Sequence, residues 1–115
     1  MRRGDIVMVS LDPVLGSEAS NTRPAVVVSN DAANATAARL GRGVIAVVPV
    51  TSNSSRIYPF QTLLPARQTG LARDSKAQAE QIRSVAVRRI GERVGRLPAA
   101  LMSELDQSLR VHLGL

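Results

Sequence analysis

The run Val44-Ile45-Ala46-Val47-Val48-Pro49-Val50 sets the tightest limit on what this chain can fold into. It is strand-length, almost wholly apolar and rich in β-branched residues, so it reads as the central strand of a sheet. Residues 5–11 form a second strand by alternation, with Ile6 and Met8 on one face and Val7, Val9 and Leu11 on the other. Residues 25–29 make a third. Pro24 marks its start, because proline begins strands more readily than it sits inside them. A shorter strand falls around residues 60–64. Alternation then resumes weakly through Ala77, Ala79, Gln81 and Arg83, followed by Val85 and Val87.

The connections carry their own signals. Residues 12–23 are polar, with Gly16, Ser17, Ser20 and Asn21, and read as a long loop of the kind that is functional or disordered. Asn30 or Asp31 caps a short alanine-rich helix that ends near Leu40, with Gly41 as its stop. Residues 70–74 look like a turn. Leu97-Pro98 opens a final amphipathic helix whose stripe is Leu101, Leu105, Leu109 and His112. Many short strands with one inserted and one terminal helix predict a mainly β, α+β domain spanning 1–115: a small, strongly bent antiparallel sheet or barrel.

Composition removes whole classes of chemistry. With no cysteine, disulfide frameworks and cysteine-based zinc sites are excluded. The single histidine, His112, has no second histidine to complete a pair and reads as a packing or surface residue of its helix. There is no P-loop, dinucleotide glycine fingerprint or HExxH motif. The nine acids are scattered rather than clustered for magnesium, so any phosphodiester chemistry is expected to need no metal and no cofactor. No secretion signal or membrane span is visible, which makes the cytoplasm the expected location. Fifteen basic residues, fourteen of them arginine, give a net charge of +6 and favour anionic partners. Arginine richness fits phosphate recognition and equally fits a genome biased toward arginine codons. One tyrosine, one phenylalanine and no tryptophan leave almost no aromatic platform for base stacking.

Two places remain where polar chemistry meets a strand. Arg23 precedes the strand at 25–29, and Thr51 and Ser52 follow the central one. A guanidinium fork and a hydroxyl held by neighbouring strands can clamp a phosphate, although a solvated arginine and a turn threonine would look the same in sequence. The run Glu80-Gln81-Ile82-Arg83-Ser84 predicts a strand with Gln81 and Arg83 on one face, or an exposed edge with a solvated polar face.

Arg3-Gly4-Asp5-Ile6, Leu11-Asp12-Pro13, Gly16-Ser17-Glu18, Arg23-Pro24-Ala25-Val26-Val27-Val28, Pro49-Val50-Thr51-Ser52 and Glu80-Gln81-Ile82-Arg83 occur in the order seen in the MazF/PemK toxins. The chain resembles that family over essentially its whole length. The resemblance implies an SH3-like PemK/CcdB-type β-barrel, a homodimer, and a toxin that cuts single-stranded RNA at short sequences. It also implies a cognate acidic, MazE-like antitoxin. Arg23 and Thr51 match the family's two principal catalytic positions. Ser52, Gln81 and Arg83 match positions tied to the active site or to RNA contacts. Glu80 stands where some members place an acid read as the base. Ser17 replaces a histidine that some members carry in the first long loop, so no histidine role transfers. Ser17 and Asn53 belong to the two loops, 12–22 and 53–59, on which RNA recognition is expected to depend.

The implied chemistry is attack of the RNA's own 2′-hydroxyl on the adjacent phosphorus, leaving a 2′,3′-cyclic phosphate and a 5′-hydroxyl. Arg23 would stabilise the phosphorane and donate a proton, Thr51 would hold the scissile group, and Glu80 or an activated water would take the proton. Two rival readings stand beside it. One is a non-enzymatic CcdB-like toxin that binds DNA gyrase through the terminal helix. The other is a basic nucleic-acid-binding barrel without activity.

Overall fold

The computed structural model describes residues 1–11 and 22–115. Seven strands form one antiparallel sheet: β1 (Asp5–Ser10), β2 (Thr22–Val27), β3 (Val44–Thr51), β4 (Gln61–Leu64), β5 (Ser75–Gln78), β6 (Arg83–Ala86) and β7 (Ile90–Arg96). Three helices accompany them: α1 (Asp31–Leu40), the single turn α2 (Ala66–Thr69) and α3 (Ala99–Leu113). The spatial order is β4-β5-β3-β2-β1-β7, with β6 paired to β3 beside β5. The α+β composition is as expected from sequence. The sheet, however, is not closed into a barrel: β4 and β7 end the strand path.

Alternation sorts the strands' apolar residues into two cores. Ile6, Val26, Val48 and Val50 pack with Leu97, Leu101, Leu105 and Leu109, so α3 covers that face. Val7, Val9, Ala25, Val27, Ile45 and Val47 point the other way and meet Ala37 of α1 and Val85 of β6. Burying each such valine or leucine contributes about 1.5–3 kcal/mol. The predicted helical stripe is right at its leucines, whereas His112 is exposed at the end of α3.

α1 keeps its predicted bounds for the predicted reasons. The Asn30 side chain accepts the Ala33 N–H at 2.8 Å, and Gly41 stops the helix at φ 64°. Inside the helix, the fully buried Asn34 donates to the Ser29 carbonyl at 2.8 Å, and the Ser29 hydroxyl accepts from the Ala46 N–H of β3 at 3.1 Å. This ties α1 to the central strand.

Three local expectations change. Pro24 lies inside β2, which begins at Thr22 and pairs with β1 from Ser10↔Thr22 onward. The proline is tolerated there because pairing with β3 stops at Ala25↔Pro49, so Pro24 owes β3 no ladder hydrogen bond. Residues 80–84 are not one strand. Ala77 faces Val50, and unbroken pairing would bring Glu80 opposite Val47, where Arg83 stands instead. The three-residue offset is the 3₁₀ turn Ala79–Gln81, so Glu80 and Gln81 sit in a turn and only Arg83 enters β6. Finally, residues 70–74 follow a helical turn, α2, which Gly70 ends in the left-handed region at φ 87°.

Gly95 of β7 is where the loop after α2 meets the sheet. A Cβ on Gly95 would collide with the Thr69 carbonyl oxygen, and one on Gly70 would lie 3.6 Å from the Gly95 Cα. The backbone of the α2 turn therefore rests directly on β7. Gly95→Ala is expected to lower stability by about 2 kcal/mol in denaturant unfolding, through displacement of that turn.

Candidate functional site

Arg23 and Thr51 are brought together by strand register. β2 and β3 pair antiparallel through Ala25↔Pro49, and each site residue lies two positions beyond that pair on its own strand. The two therefore leave the sheet side by side. Both line a cleft of about 620 Å³, together with Ser52. Arg23 and Ser52 are exposed and Thr51 is half-buried. The rest of the lining comes from Met8, Pro24, Val50 and Val94 and from the α2–β5 loop with Leu71, Arg73 and Ser75.

The hydroxyl of Thr51 is oriented by the chain that follows it. Its Oγ1 accepts the Asn53 N–H at 3.3 Å, and Asn53 Oδ1 in turn accepts from the Ser55 hydroxyl at 3.1 Å. With its oxygen serving as acceptor to the backbone, Thr51 has its own O–H to donate into the cleft. The remainder of this loop is braced by stacked rings of Tyr58 and Phe60, 5.4 Å between centroids. Arg56 lies over Tyr58 at 5.1 Å, and the Lys76 ammonium donates to the Arg56 carbonyl at 2.9 Å.

The cleft's charge is one-sided. Among the described residues that line it are two guanidiniums, Arg23 and Arg73, and no carboxylate. Other arginines are paired: Arg3 with Asp106 at 2.6 Å and Arg96 with Asp5 at 2.6 Å. Neither Arg23 nor Arg73 has a side-chain partner among the described residues. Two unpaired like charges in one cleft lining make a site for an anion with hydrogen-bond acceptors.

The other sequence-predicted residues fall outside this lining. Glu80 Oε2 accepts from the Gln61 amide at 2.8 Å, and Gln61 Oε1 accepts the Tyr58 N–H at 3.3 Å. Glu80 thus belongs to a structural link between the 3₁₀ turn, β4 and the preceding loop. Gln81 and Arg83 are exposed along the path from that turn into β6. Asn53 is exposed and adjoins the cleft through Thr51. Ser17 lies outside the described residues. Conversely, the α2–β5 wall with Arg73 was not anticipated, because in sequence residues 70–74 look like an ordinary turn.

Comparison with known proteins gives this cleft its context. Residues 2–113 match the family of PemK-like, MazF-like toxins of type II toxin–antitoxin systems. The chain belongs to this family. It is 64% identical over 115 residues to endoribonuclease MazF9 of Mycobacterium tuberculosis, covering the whole chain and 98% of that relative. It is 29% identical over 115 residues to endoribonuclease EndoA of Bacillus subtilis, covering 96% of it. Among solved structures, a MazE–MazF crystal structure from Deinococcus radiodurans superposes with a TM-score of 0.78 at 30% identity, covering the whole chain and 96% of the matched one.

Because Arg23 is exposed and makes no side-chain bond to the described residues, Arg23→Ala is expected to leave stability within about 0.5 kcal/mol of the wild type, as read by thermal or urea unfolding.

Proposed function

We propose that the Arg23–Thr51 cleft is where this toxin cuts RNA, by attack of the substrate's own 2′-hydroxyl on the neighbouring phosphorus. Endoribonuclease activity itself follows from the family and from the two endoribonucleases the chain resembles along its whole length. The observation that carries the assignment is a guanidinium without a side-chain partner among the described residues, set beside an oriented hydroxyl at the ends of adjacent strands. The gyrase-binding alternative is not favoured, since the chain's family and curated relatives are MazF-like endoribonucleases.

In this mechanism the 2′-oxygen bonds to phosphorus and the 5′-oxygen of the next nucleotide leaves. The products are a 2′,3′-cyclic phosphate and a 5′-hydroxyl. Negative charge builds on the two non-bridging oxygens of the phosphorane. Arg23 offers them fixed positive donors, and Thr51 adds a third from its O–H. The Arg23 guanidinium acts by electrostatics and hydrogen bonding to the phosphorane oxygens, and the leaving 5′-oxygen takes its proton from water in the cleft. Glu80 holds the Gln61 amide through Oε2, has a buried Oε1 without a partner among the described residues, and stands outside the cleft lining, so within one chain we assign the 2′-hydroxyl proton to solvent in the cleft. No metal or cofactor takes part in this scheme.

The substrate class is single-stranded RNA, whose exposed backbone can enter an open cleft. Ser52 and Asn53 flank the reacting phosphate, while Gln81 and Arg83 are outlying RNA contacts on the neighbouring strand path. An acidic, MazE-like antitoxin would compete for the same positive surface. A net charge of +6 and the solved MazE–MazF complexes of Deinococcus radiodurans support that partner. Homodimerisation and a cytoplasmic setting complete the proposal; no helix among the described residues is long and apolar enough to cross a membrane.

Arg23→Ala should reduce the cleavage rate at saturating RNA by about 10³-fold and Thr51→Val by about 10²-fold, the scale seen when one oriented donor is removed. End-mapping should find cyclic phosphates upstream of each cut. Normal cleavage by Arg23→Ala would sink the assignment. Activity should also survive EDTA, and complete loss in chelator that magnesium restores would replace this mechanism with a metal-dependent one.

A further inference from the structure

Arg73 is an exposed arginine on a loop, yet the backbone carrying it is fixed from both sides. Asp74 Oδ1 accepts the Ala66 N–H at 2.8 Å and so caps the start of α2. The Ser75 hydroxyl, buried at the start of β5, donates to the Arg73 carbonyl at 2.9 Å. Upstream, Thr69 Oγ1 accepts the Leu71 N–H at 3.3 Å, and the Gly70 N–H closes α2 onto the Ala66 carbonyl at 2.9 Å. The turn behind them lies against Gly95, which has no side chain to hold it away from β7.

That bracing fixes where the Arg73 side chain starts: in the lining of the cleft, just before β5, whose Lys76 pairs with Thr51. Arg73 has no anionic partner among the described residues, although Asp74 is its immediate neighbour in sequence and is used instead as a helix cap. A second guanidinium lining the same cleft as Arg23 adds to its positive potential, which a bound polyanion meets. A single phosphate clamped by Arg23 and Thr51 has no need of a second guanidinium farther along the cleft. A strand of RNA does, because its next phosphate must also be neutralised.

We infer that Arg73 holds a phosphate next to the scissile one, positioning the RNA strand across the cleft without taking part in bond breaking. The inference rests on the nuclease reading above and extends it to the strand's path: from the β2–β3 ends toward the α2–β5 loop. As a positioning residue acting on bound RNA, Arg73 belongs to ground-state binding, and its loss should appear in KM rather than kcat.

The test compares Arg73→Gln, Arg73→Lys and Arg67→Ala with the wild type; Arg67 is an exposed arginine of α2 that does not line the cleft and controls for net charge. Binding of a 2′-O-methylated, mixed-sequence single-stranded RNA, which this route cannot cut, is measured against salt concentration. Arg73→Gln should flatten the slope of log K against log salt by about 0.7, one phosphate's worth for a single strand. Arg73→Lys should retain the slope and Arg67→Ala should not alter it. On a cleavable transcript, Arg73→Gln should raise KM several-fold with kcat within about twofold of wild type. An unchanged slope with Arg73→Gln overturns the inference, as does a loss of kcat comparable to that of Arg23→Ala with binding intact. Failure of the wild type to cut RNA would fall on the nuclease reading alone, because the slope is read on an uncleavable strand.

Discussion

β3 is paired along both edges, and the position of nearly everything else follows from that. Val47 faces Val27 of β2 on one side and Arg83 of β6 on the other, so the middle of the strand has no free backbone edge. Its side chains supply both cores, Val48 and Val50 to the face under α3 and Ile45 and Val47 to the opposite face. A slip of one residue would exchange those two sets and place mismatched side chains in each core, which pins the register. The pinned register in turn fixes the site. Because Ala25 faces Pro49, Arg23 and Thr51 must emerge together, two residues beyond the last pair.

The same strand explains how a cleft opens at one end of a continuous sheet. β5 and β6 share one edge of β3 but are separated by the Ala79–Gln81 turn, so the C-terminal part of β3 pairs with a different strand from its N-terminal part. On the other edge, β2 stops pairing with β3 at Ala25 while continuing along β1 to Thr22. Thr51 therefore sits where one neighbour has ended and the other has changed. Thr51 keeps its ladder partner, Lys76 of β5, on one edge, while the end of β2–β3 pairing on the other leaves its side chain at the cleft beside Arg23.

What could be read in the sequence was whatever announced itself locally. The Asn30 cap, the Gly41 stop and the leucine stripe of α3 each act within a turn or two of chain, and each stands where local chemistry predicts. The Arg23 and Thr51 positions were legible as polar residues at strand ends, and the family resemblance singled them out from other such residues. β7 was not legible at all. Its sequence Ile-Gly-Glu-Arg-Val-Gly-Arg has two glycines and three charges in seven residues, and it is largely exposed because it ends the strand path. Its strand character comes from pairing with β1, a long-range contact with no local signature. The 3₁₀ turn that breaks 80–84 was hidden for the opposite reason: alternation continues through it, and only the register of β3 reveals three extra residues. Openness of the sheet depends on which strands lack partners, and that too is invisible from one segment at a time.

Net charge is the clearest case of a quantity whose meaning depends on arrangement. A value of +6 fits RNA, an acidic protein segment or codon bias equally well. Placement separates codon bias from the other two. Arg3 and Arg96 are spent on Asp106 and Asp5, where they join the N-terminal residues to α3 and close the end of β7 onto β1. Codon bias can set how many arginines a chain has, but not that, among the described residues, the cleft lining holds no acid and two unpaired arginines beside an oriented hydroxyl. Asp74 sharpens the contrast. It is adjacent to Arg73 and would neutralise it if turned, yet its carboxylate caps α2 instead. The fold thus uses the nearest acid to hold the loop that presents the cation, so the feature that stiffens the wall also keeps its positive charge available to a substrate.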